Sequence, residues 1–123
     1  MDGVRQAAEW DACADAYWSA ARLLAEADSD LALPRLRLAS LALEYRLRSF
    51  VCTVRGGTPG GDDLGRLMRL AVFCGLRVEA ADRDLIERLG RLHRGDTDTA
   101  AAPAMAHIDR LLAGIAAQSR PAA

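Results

Sequence analysis

A glycine-rich stretch, RGGTPGGDDLGR from Arg55 to Arg66, has the residue types that can bind phosphate. The backbone N–H groups of such a loop and the dipole of the following helix both point toward an anion. The spacing from Gly56 to Gly61 fits the first part of a P-loop, but Asp62 and Asp63 stand where that motif needs Lys and Ser or Thr. Two carboxylates at a helix start repel an anion, whereas one of them can cap the helix. We therefore interpret the stretch as a turn between two helices, capped by Asp62 or Asp63.

A polar stripe follows one face of the otherwise apolar segment from Pro34 to Val54. Its members recur at helical spacing and are Arg37, Ser40, Glu44, Arg48 and Arg55. Glu44 and Arg48 are four residues apart, which predicts an ion pair on that face. We predict that Arg37, Glu44 and Arg48 line a groove that binds a ligand. The alternative is that the protein itself covers the stripe, which would favour a dimerisation module without a ligand.

The other residues that could take part in catalysis or bind a metal do not form the pattern of such a site. Cys13, Cys52 and Cys74 are far apart and have no spacing of a zinc site or a disulfide framework. His107 has no His, Cys or Glu nearby at ligand spacing. Ser19 and Ser40 have no His and Asp arranged near them in sequence. We expect free thiols, no metal and no cofactor.

The composition indicates a single helical domain. The chain has 123 residues, of which 51% are hydrophobic but only 5% aromatic, so its core is built from Leu, Ala, Val and Ile. We predict one domain over residues 1–120 and a disordered tail over 121–123. A net charge of −1 argues against general electrostatic binding of nucleic acid. Since no apolar run is long enough to span a membrane, we expect a cytoplasmic protein without membrane contact.

The spacing of apolar residues predicts helices throughout and no strand. The first helix is predicted from about Val4 to Ala27, with Trp10, Tyr17 and their neighbours at steps of three and four facing the core. Trp18 falls off this stripe and is predicted to be exposed or at an interface. Together with the segments that follow, the pattern predicts an all-α antiparallel up-and-down bundle of four to five helices.

The second predicted helix, Pro34 to Val54, is apolar on most of its sides. A helix of this kind must be buried on several sides, in the middle of a bundle or at a subunit interface. We predict a homodimer formed through this helix, with a contribution from the fourth helix of the predicted bundle.

Four segments between Ala16 and Arg94 resemble the HEPN superfamily, the higher eukaryote and prokaryote nucleotide-binding domains. They read AYWSAARLLAEAD, LRLASLALEYRLRSFV, DDLGRLMRLAVFCGL and DRDLIERLGRLHR. The most specific piece is ALEYRLRSF, which is similar to the family's Ala-x-Glu-x-x-Leu-Lys run, with Glu44 at the acidic position and Arg48 near the basic one. The sequence departs from the family at the third helix, where Asp62-Asp63-Leu64 replaces the common His-Asp-Leu.

The resemblance implies an antiparallel helical bundle that forms a homodimer and binds a nucleotide or a partner protein. Many such proteins are partners of a minimal nucleotidyltransferase in toxin–antitoxin modules, and some are metal-independent ribonucleases that act on RNA. We predict a nucleotide- or partner-binding regulatory protein, with the ribonuclease as the alternative.

The nuclease members of this family carry an Arg, a polar residue and, a few positions later, a His. This chain has Arg88 and His93 with four residues between them, although Leu89 stands where a polar residue is usual. The resemblance makes Arg88 and His93 the candidate catalytic pair. In that role His93 would act as general acid or base at the ribose, and Arg88 would stabilise charge on the phosphate.

The spacing of this candidate pair limits how the two side chains can meet. Five residues along a regular helix turn through about 500°, which leaves the side chains roughly 140° apart. They converge only if the helix is distorted, for example at Gly90, or if a second subunit completes the site. The alternative interpretation pairs Arg88 with Asp84 and packs His93 near the C-terminus of its helix.

Overall fold

The computed structural model describes residues 2–27, 31–57, 63–97 and 103–119. These residues form five helices and contain no strand: α1 (Asp2–Ala27), α2 (Ala32–Arg55), α3 (Leu64–Phe73), α4 (Ala80–His93) and α5 (Met105–Ser119). The predicted all-α bundle is thereby confirmed. Most of the GGTPGG turn, and the tail predicted over 121–123, lie outside the described residues. None of the described helices is long and apolar enough to cross a membrane.

The second helix, α2, is the centre of the bundle and packs against each of the other four helices. Its side chains without solvent exposure include Leu36, Ala39, Ala42, Leu43, Leu47, Val51 and Cys52. The apolar residues on its several sides therefore contact helices of the same chain. Of the two positions that the sequence allowed for this helix, the middle of the bundle is the one observed, so no subunit interface is needed to bury it.

Helices α1 and α2 form an antiparallel hairpin. The start of α1 meets the end of α2, where a Cβ atom added to Gly3 would lie 3.0 Å from the Cα atom of Gly56. Further along, the Ser49 hydroxyl donates to the backbone carbonyl of Ala7 at 3.1 Å. At the other side of the hairpin, Arg46 forms ion pairs of 2.7 and 2.6 Å with Asp11 and Asp15. Gly56, with φ of 79°, ends α2 in the left-handed conformation that favours glycine.

The face of α1 that packs on the bundle differs from the predicted one. The buried residues are Ala7, Ala14, Trp18 and Ala21, whereas Trp10 and Tyr17 are half-buried and Cys13 is exposed. Three of the four buried residues are alanines spaced by seven, and small side chains at heptad spacing let two helices approach closely. The predicted stripe followed the larger apolar side chains and was therefore rotated about one residue from the true contact face.

Trp18 is buried, with a relative exposure of 8%, so the prediction that it is exposed was wrong. Its indole Nε1 donates a hydrogen bond of 2.9 Å to Oδ1 of Asp109 on α5. The ring joins the main core cluster while its polar edge reaches the carboxylate of Asp109, an exposed residue, an arrangement typical of buried tryptophan. Trp18 thus connects the first helix to the last.

Helices α3 and α4 complete the bundle and bring their ends to the central helix. The side chain of Asp63 accepts a hydrogen bond of 2.9 Å from the backbone N–H of Gly65, which confirms the predicted aspartate cap of α3. Leu64 at the start of α3 lies against Gly90 near the end of α4, so these two helices are antiparallel. Helix α4 is continuous through Gly90 and ends at His93, whose side chain faces α2.

Candidate functional site

A charged cluster lies inside the bundle between α2 and α4. Oε2 of Glu44 is 3.1 Å from Nε of Arg48, one turn later on the same helix, so the predicted ion pair is confirmed. Oε1 of the same carboxylate is 3.2 Å from Nε2 of His93 at the end of α4. The Glu44 and Arg48 side chains are only 8% and 10% exposed, which places both charges largely out of water. We call Ser40, Glu44, Arg48 and His93 the Glu44 network.

Both ring nitrogens of His93 have partners inside the protein. The Ser40 hydroxyl donates its single hydrogen to the backbone carbonyl of Arg37 at 2.7 Å, so its oxygen can accept from Nδ1 of His93, 3.2 Å away. The carboxylate of Glu44 accepts at the opposite nitrogen. The ring satisfies both neighbours when both nitrogens carry hydrogen, and neither nitrogen then points to open solvent.

An aromatic stack covers the other side of the network. The guanidinium carbon of Arg48 lies 5.8 Å from the centre of the Trp10 ring, within the range of a cation–π contact. Trp10 stacks on Tyr45 with 5.2 Å between ring centres, and Tyr45 stacks on Tyr17 with 5.4 Å. Burial raises the pKa of Tyr45, and the nearby Tyr17 and Glu44 raise it further. Tyr45 thus lies between Tyr17 and Trp10, and Trp10 contacts Arg48.

The polar stripe on α2 is covered in its middle and open at its ends. Ser40, Glu44 and Arg48 are buried, whereas Arg37 and Arg55 are exposed. A ligand that approaches Glu44 or Arg48 must compete with their mutual ion pair and with His93. The prediction that Arg37, Glu44 and Arg48 form a ligand groove stays a prediction, and in this conformation only Arg37 is directly accessible.

The candidate catalytic pair lies on two different sides of α4. Nη2 of Arg88 is 3.1 Å from Oδ2 of Asp84 in an exposed ion pair, as the alternative interpretation had it. His93 turns toward α2 and Glu44. Since α4 is an unbroken helix, the five-residue step leaves the two side chains about 140° apart. A joint role for Arg88 and His93 therefore requires a second copy of the chain or a distortion of α4.

The chain matches no protein-family model, no curated protein and no solved structure. The HEPN resemblance therefore stays a prediction that rests on the sequence segments quoted above. Within the described residues, no group of three or more His, Cys, Asp and Glu side chains could hold a metal ion. The three thiols are free, and burial raises the pKa of Cys52.

Sequence reasoning paired Glu44 with Arg48 and singled out His93, but it did not bring His93 to that pair. The contact between Glu44 and His93 joins residues 49 positions apart, so no local spacing signals it. The only signal was the presence of a Ser and a Glu on a polar stripe of a helix that is otherwise apolar, since a buried polar residue needs a partner from elsewhere. A contact between Asp82 and His107 was missed for the same reason.

Proposed function

We propose that this chain is a HEPN-like regulatory protein without catalysis of its own, which acts by binding a partner protein. The partner that fits the resemblance is a minimal nucleotidyltransferase of a toxin–antitoxin module. The observation that carries the proposal is the engagement of both His93 ring nitrogens by Glu44 and Ser40. A general acid or base needs a ring nitrogen within hydrogen-bond reach of the substrate proton, and in this conformation both nitrogens are bonded within the protein, which supports a role without catalysis.

Exposed apolar side chains support a protein partner over a small nucleotide. Phe73 at the end of α3 is 88% exposed, and Val54 near the end of α2 is 52% exposed. Val54 and Cys74, the residue after Phe73, line the same open hollow of about 450 Å³. Solvent-exposed aromatic rings beside a hollow are common anchors of protein interfaces. The same surface is available to a second copy of this chain, which is the way in which we propose that a homodimer forms.

A ribonuclease is the second candidate, and the contact between Glu44 and His93 favours it. A carboxylate bonded to one imidazole nitrogen orients the ring in many acid–base sites. In this protein the opposite nitrogen is occupied by Ser40, and Arg88 faces another side of α4. Catalysis would therefore need the His93–Ser40 contact to open and a second subunit to supply Arg88.

A binding measurement with two surface variants tests the proposed function. The chain and a minimal nucleotidyltransferase from the same genome are mixed and separated by size-exclusion chromatography with light scattering. We expect a complex for the wild type and for Leu23→Ser, which removes an isolated apolar side chain that is 67% exposed. We expect its loss for Phe73→Ser, because interface aromatics contribute more than about 1 kcal/mol to binding.

Two results would count against the proposed function. One is the absence of any complex with the wild type at micromolar concentrations. The other is a complex that still forms with Phe73→Ser as well as with Leu23→Ser, which would show that the exposed surface around Phe73 does not bind the partner. Self-association lost in Phe73→Ser alone, with no nucleotidyltransferase bound, would assign the surface to a homodimer instead.

A further inference from the structure

A second polar hollow, of about 350 Å³, lies between the connector from α3 to α4, the first turn of α4, and α5. We call it the α5 cleft. Its volume is at the lower end of the range for small-molecule sites, roughly 300–1,000 Å³. Asp82 lines the cleft at the start of α4, and eleven residues of helix separate it from His93, a rise of roughly 16 Å. The α5 cleft is therefore distinct from the Glu44 network.

The cleft contains a histidine that is held by a carboxylate. Nε2 of His107 on α5 is 2.9 Å from Oδ1 of Asp82 on α4, and the two side chains are 29% and 26% exposed. Nδ1 of His107 makes no hydrogen bond to any residue in the described ranges. This arrangement differs from that of His93, whose two nitrogens are both engaged. Asp82 thus fixes the ring while one nitrogen stays open to the cleft.

Charged side chains without partners stand around this histidine. Arg77 and Arg110 line the cleft and are exposed, and Glu79 lines it beside Arg77. The side chains of these three residues form no hydrogen bond or ion pair within the part of the chain that the structure describes. The lining contains two arginines and the carboxylates of Glu79 and Asp82, so its formal charge is zero with His107 counted as neutral, and the Asp82 carboxylate is bonded to His107. The two guanidinium groups are therefore the charges that can contact an anion.

One wall of the cleft is fixed before any ligand arrives. The backbone N–H of Arg77 donates to Oε1 of Gln118 at 2.8 Å, and the amide of Gln118 donates back to the Arg77 carbonyl at 3.1 Å. This double hydrogen bond ties the connector to α5. The apolar part of the lining comes from Leu111 and Ile115, both buried. A preformed wall reduces the ordering cost of binding.

Gly114 leaves open space at the cleft, and the packing of the neighbouring residues does not require a glycine at this position. It lies inside α5, and a Cβ atom built on it would meet nothing within 4 Å. Glycine in a helix interior costs about 1 kcal/mol relative to alanine. Since no neighbouring residue needs the missing side chain, the free volume next to Leu111 and Ile115 is available to a ligand.

We propose that the α5 cleft binds a small organic anion, a carboxylate or a phosphate monoester with an apolar body. Arg77 and Arg110 contact the anionic group, and Nδ1 of the His107 ring, held in place by Asp82, donates to it when both ring nitrogens carry hydrogen. The apolar body lies on Leu111, Ile115 and the space beside Gly114. This site shares no residue with the Glu44 network, and Phe73 does not line it, although Arg77 and Gln118 line both the α5 cleft and the hollow next to Phe73.

Nitrogen-15 NMR titration of the whole chain with phenyl phosphate, benzoate and inorganic phosphate at low salt tests the site. We expect amide shifts that saturate and are confined to residues 77–82 and 107–118. The organic probe that binds more tightly, phenyl phosphate or benzoate, identifies the anionic group that the cleft prefers. Arg110→Ala should weaken that binding about tenfold, whereas Arg91→Ala, which removes an exposed charge elsewhere on α4, should leave it unchanged. Gly114→Leu should fill the cleft and abolish binding while the helix content is retained.

Three outcomes would overturn the proposal. The first is the absence of saturating shifts with either organic probe up to about 10 mM, the limit of weak specific binding. The second is binding of inorganic phosphate as tight as that of phenyl phosphate, which would deny the apolar body any role. The third is an unchanged affinity in folded Gly114→Leu. Partner binding is tested separately through Phe73→Ser, because Phe73 does not line the α5 cleft and neither Arg110 nor Gly114 lines the hollow next to Phe73.

Discussion

Replacing Glu44 with alanine is expected to lower the free energy of unfolding by about 3–5 kcal/mol, the usual effect of removing one partner from a buried ion pair. Its carboxylate contacts both Arg48 and His93 and is 8% exposed. Without it, the guanidinium of Arg48 keeps its buried position beside Trp10 but loses the opposite charge. His93 loses the acceptor at Nε2. The loss is large because one substitution removes both the buried counter-charge of Arg48 and the acceptor at Nε2 of His93.

Urea unfolding followed by circular dichroism measures this effect, with Glu9→Ala as the matched control. Glu9 also pairs with an arginine four residues away, but its side chain is 67% exposed, and such pairs contribute only about 0.3–0.5 kcal/mol. Glu44→Gln keeps the shape and removes the charge, so it provides an intermediate variant if Glu44→Ala does not fold. Equal effects of Glu44→Ala and Glu9→Ala would show that the network does not stabilise the bundle.

Replacing Trp18 with alanine should be comparably destabilising, by about 3–5 kcal/mol, as is typical when a large buried aromatic ring is removed. The ring is 8% exposed and lies in the main core cluster between α1 and α5. Trp18→Phe keeps most of the apolar volume and removes only the hydrogen bond to Asp109. We expect that variant to cost about 1 kcal/mol from the lost bond, with a further cost if the smaller ring leaves a cavity.

Phe73→Ala is the matched control for Trp18→Ala, because it removes an aromatic ring that is 88% exposed. Surface substitutions of this kind change the free energy of unfolding by less than about 0.5 kcal/mol. The denaturant midpoints of Trp18→Ala, Trp18→Phe and Phe73→Ala compare their stabilities directly. If Trp18→Ala were as mild as Phe73→Ala, Trp18 would lie at the surface, as the sequence pattern suggested.

The sequence predicted the helices well wherever large apolar residues mark the buried side. In α4 and α5, leucine and isoleucine define one face, and Leu85, Ile86, Leu89 and Ile108 are all buried. In α1 the contact face is made of alanines, and alanine also occurs on the exposed sides of this helix. The periodicity of the larger residues therefore gave the wrong face, and Trp18 was assigned to solvent.

The site was predictable only as far as local spacing reaches. The pair of Glu44 and Arg48, and that of Asp84 and Arg88, follow from a four-residue step on one helix. The contacts of His93 with Ser40 and of His107 with Asp82 depend on how separate helices pack. No spacing along the chain encodes them, so the sequence left His93 open to a catalytic role and His107 without any role.

We propose above that His93 is an internal structural residue and that the chain is not a nuclease. An RNA cleavage assay tests this proposal most directly. Purified wild type, His93→Ala and Arg88→Ala are incubated with end-labelled total RNA in EDTA. Arg88 is in an exposed ion pair, so its variant folds and keeps the comparison valid even if His93→Ala is unstable. We expect no cleavage that distinguishes the wild type from either variant. Discrete cleavage by the wild type that both variants lose would contradict it and establish the ribonuclease.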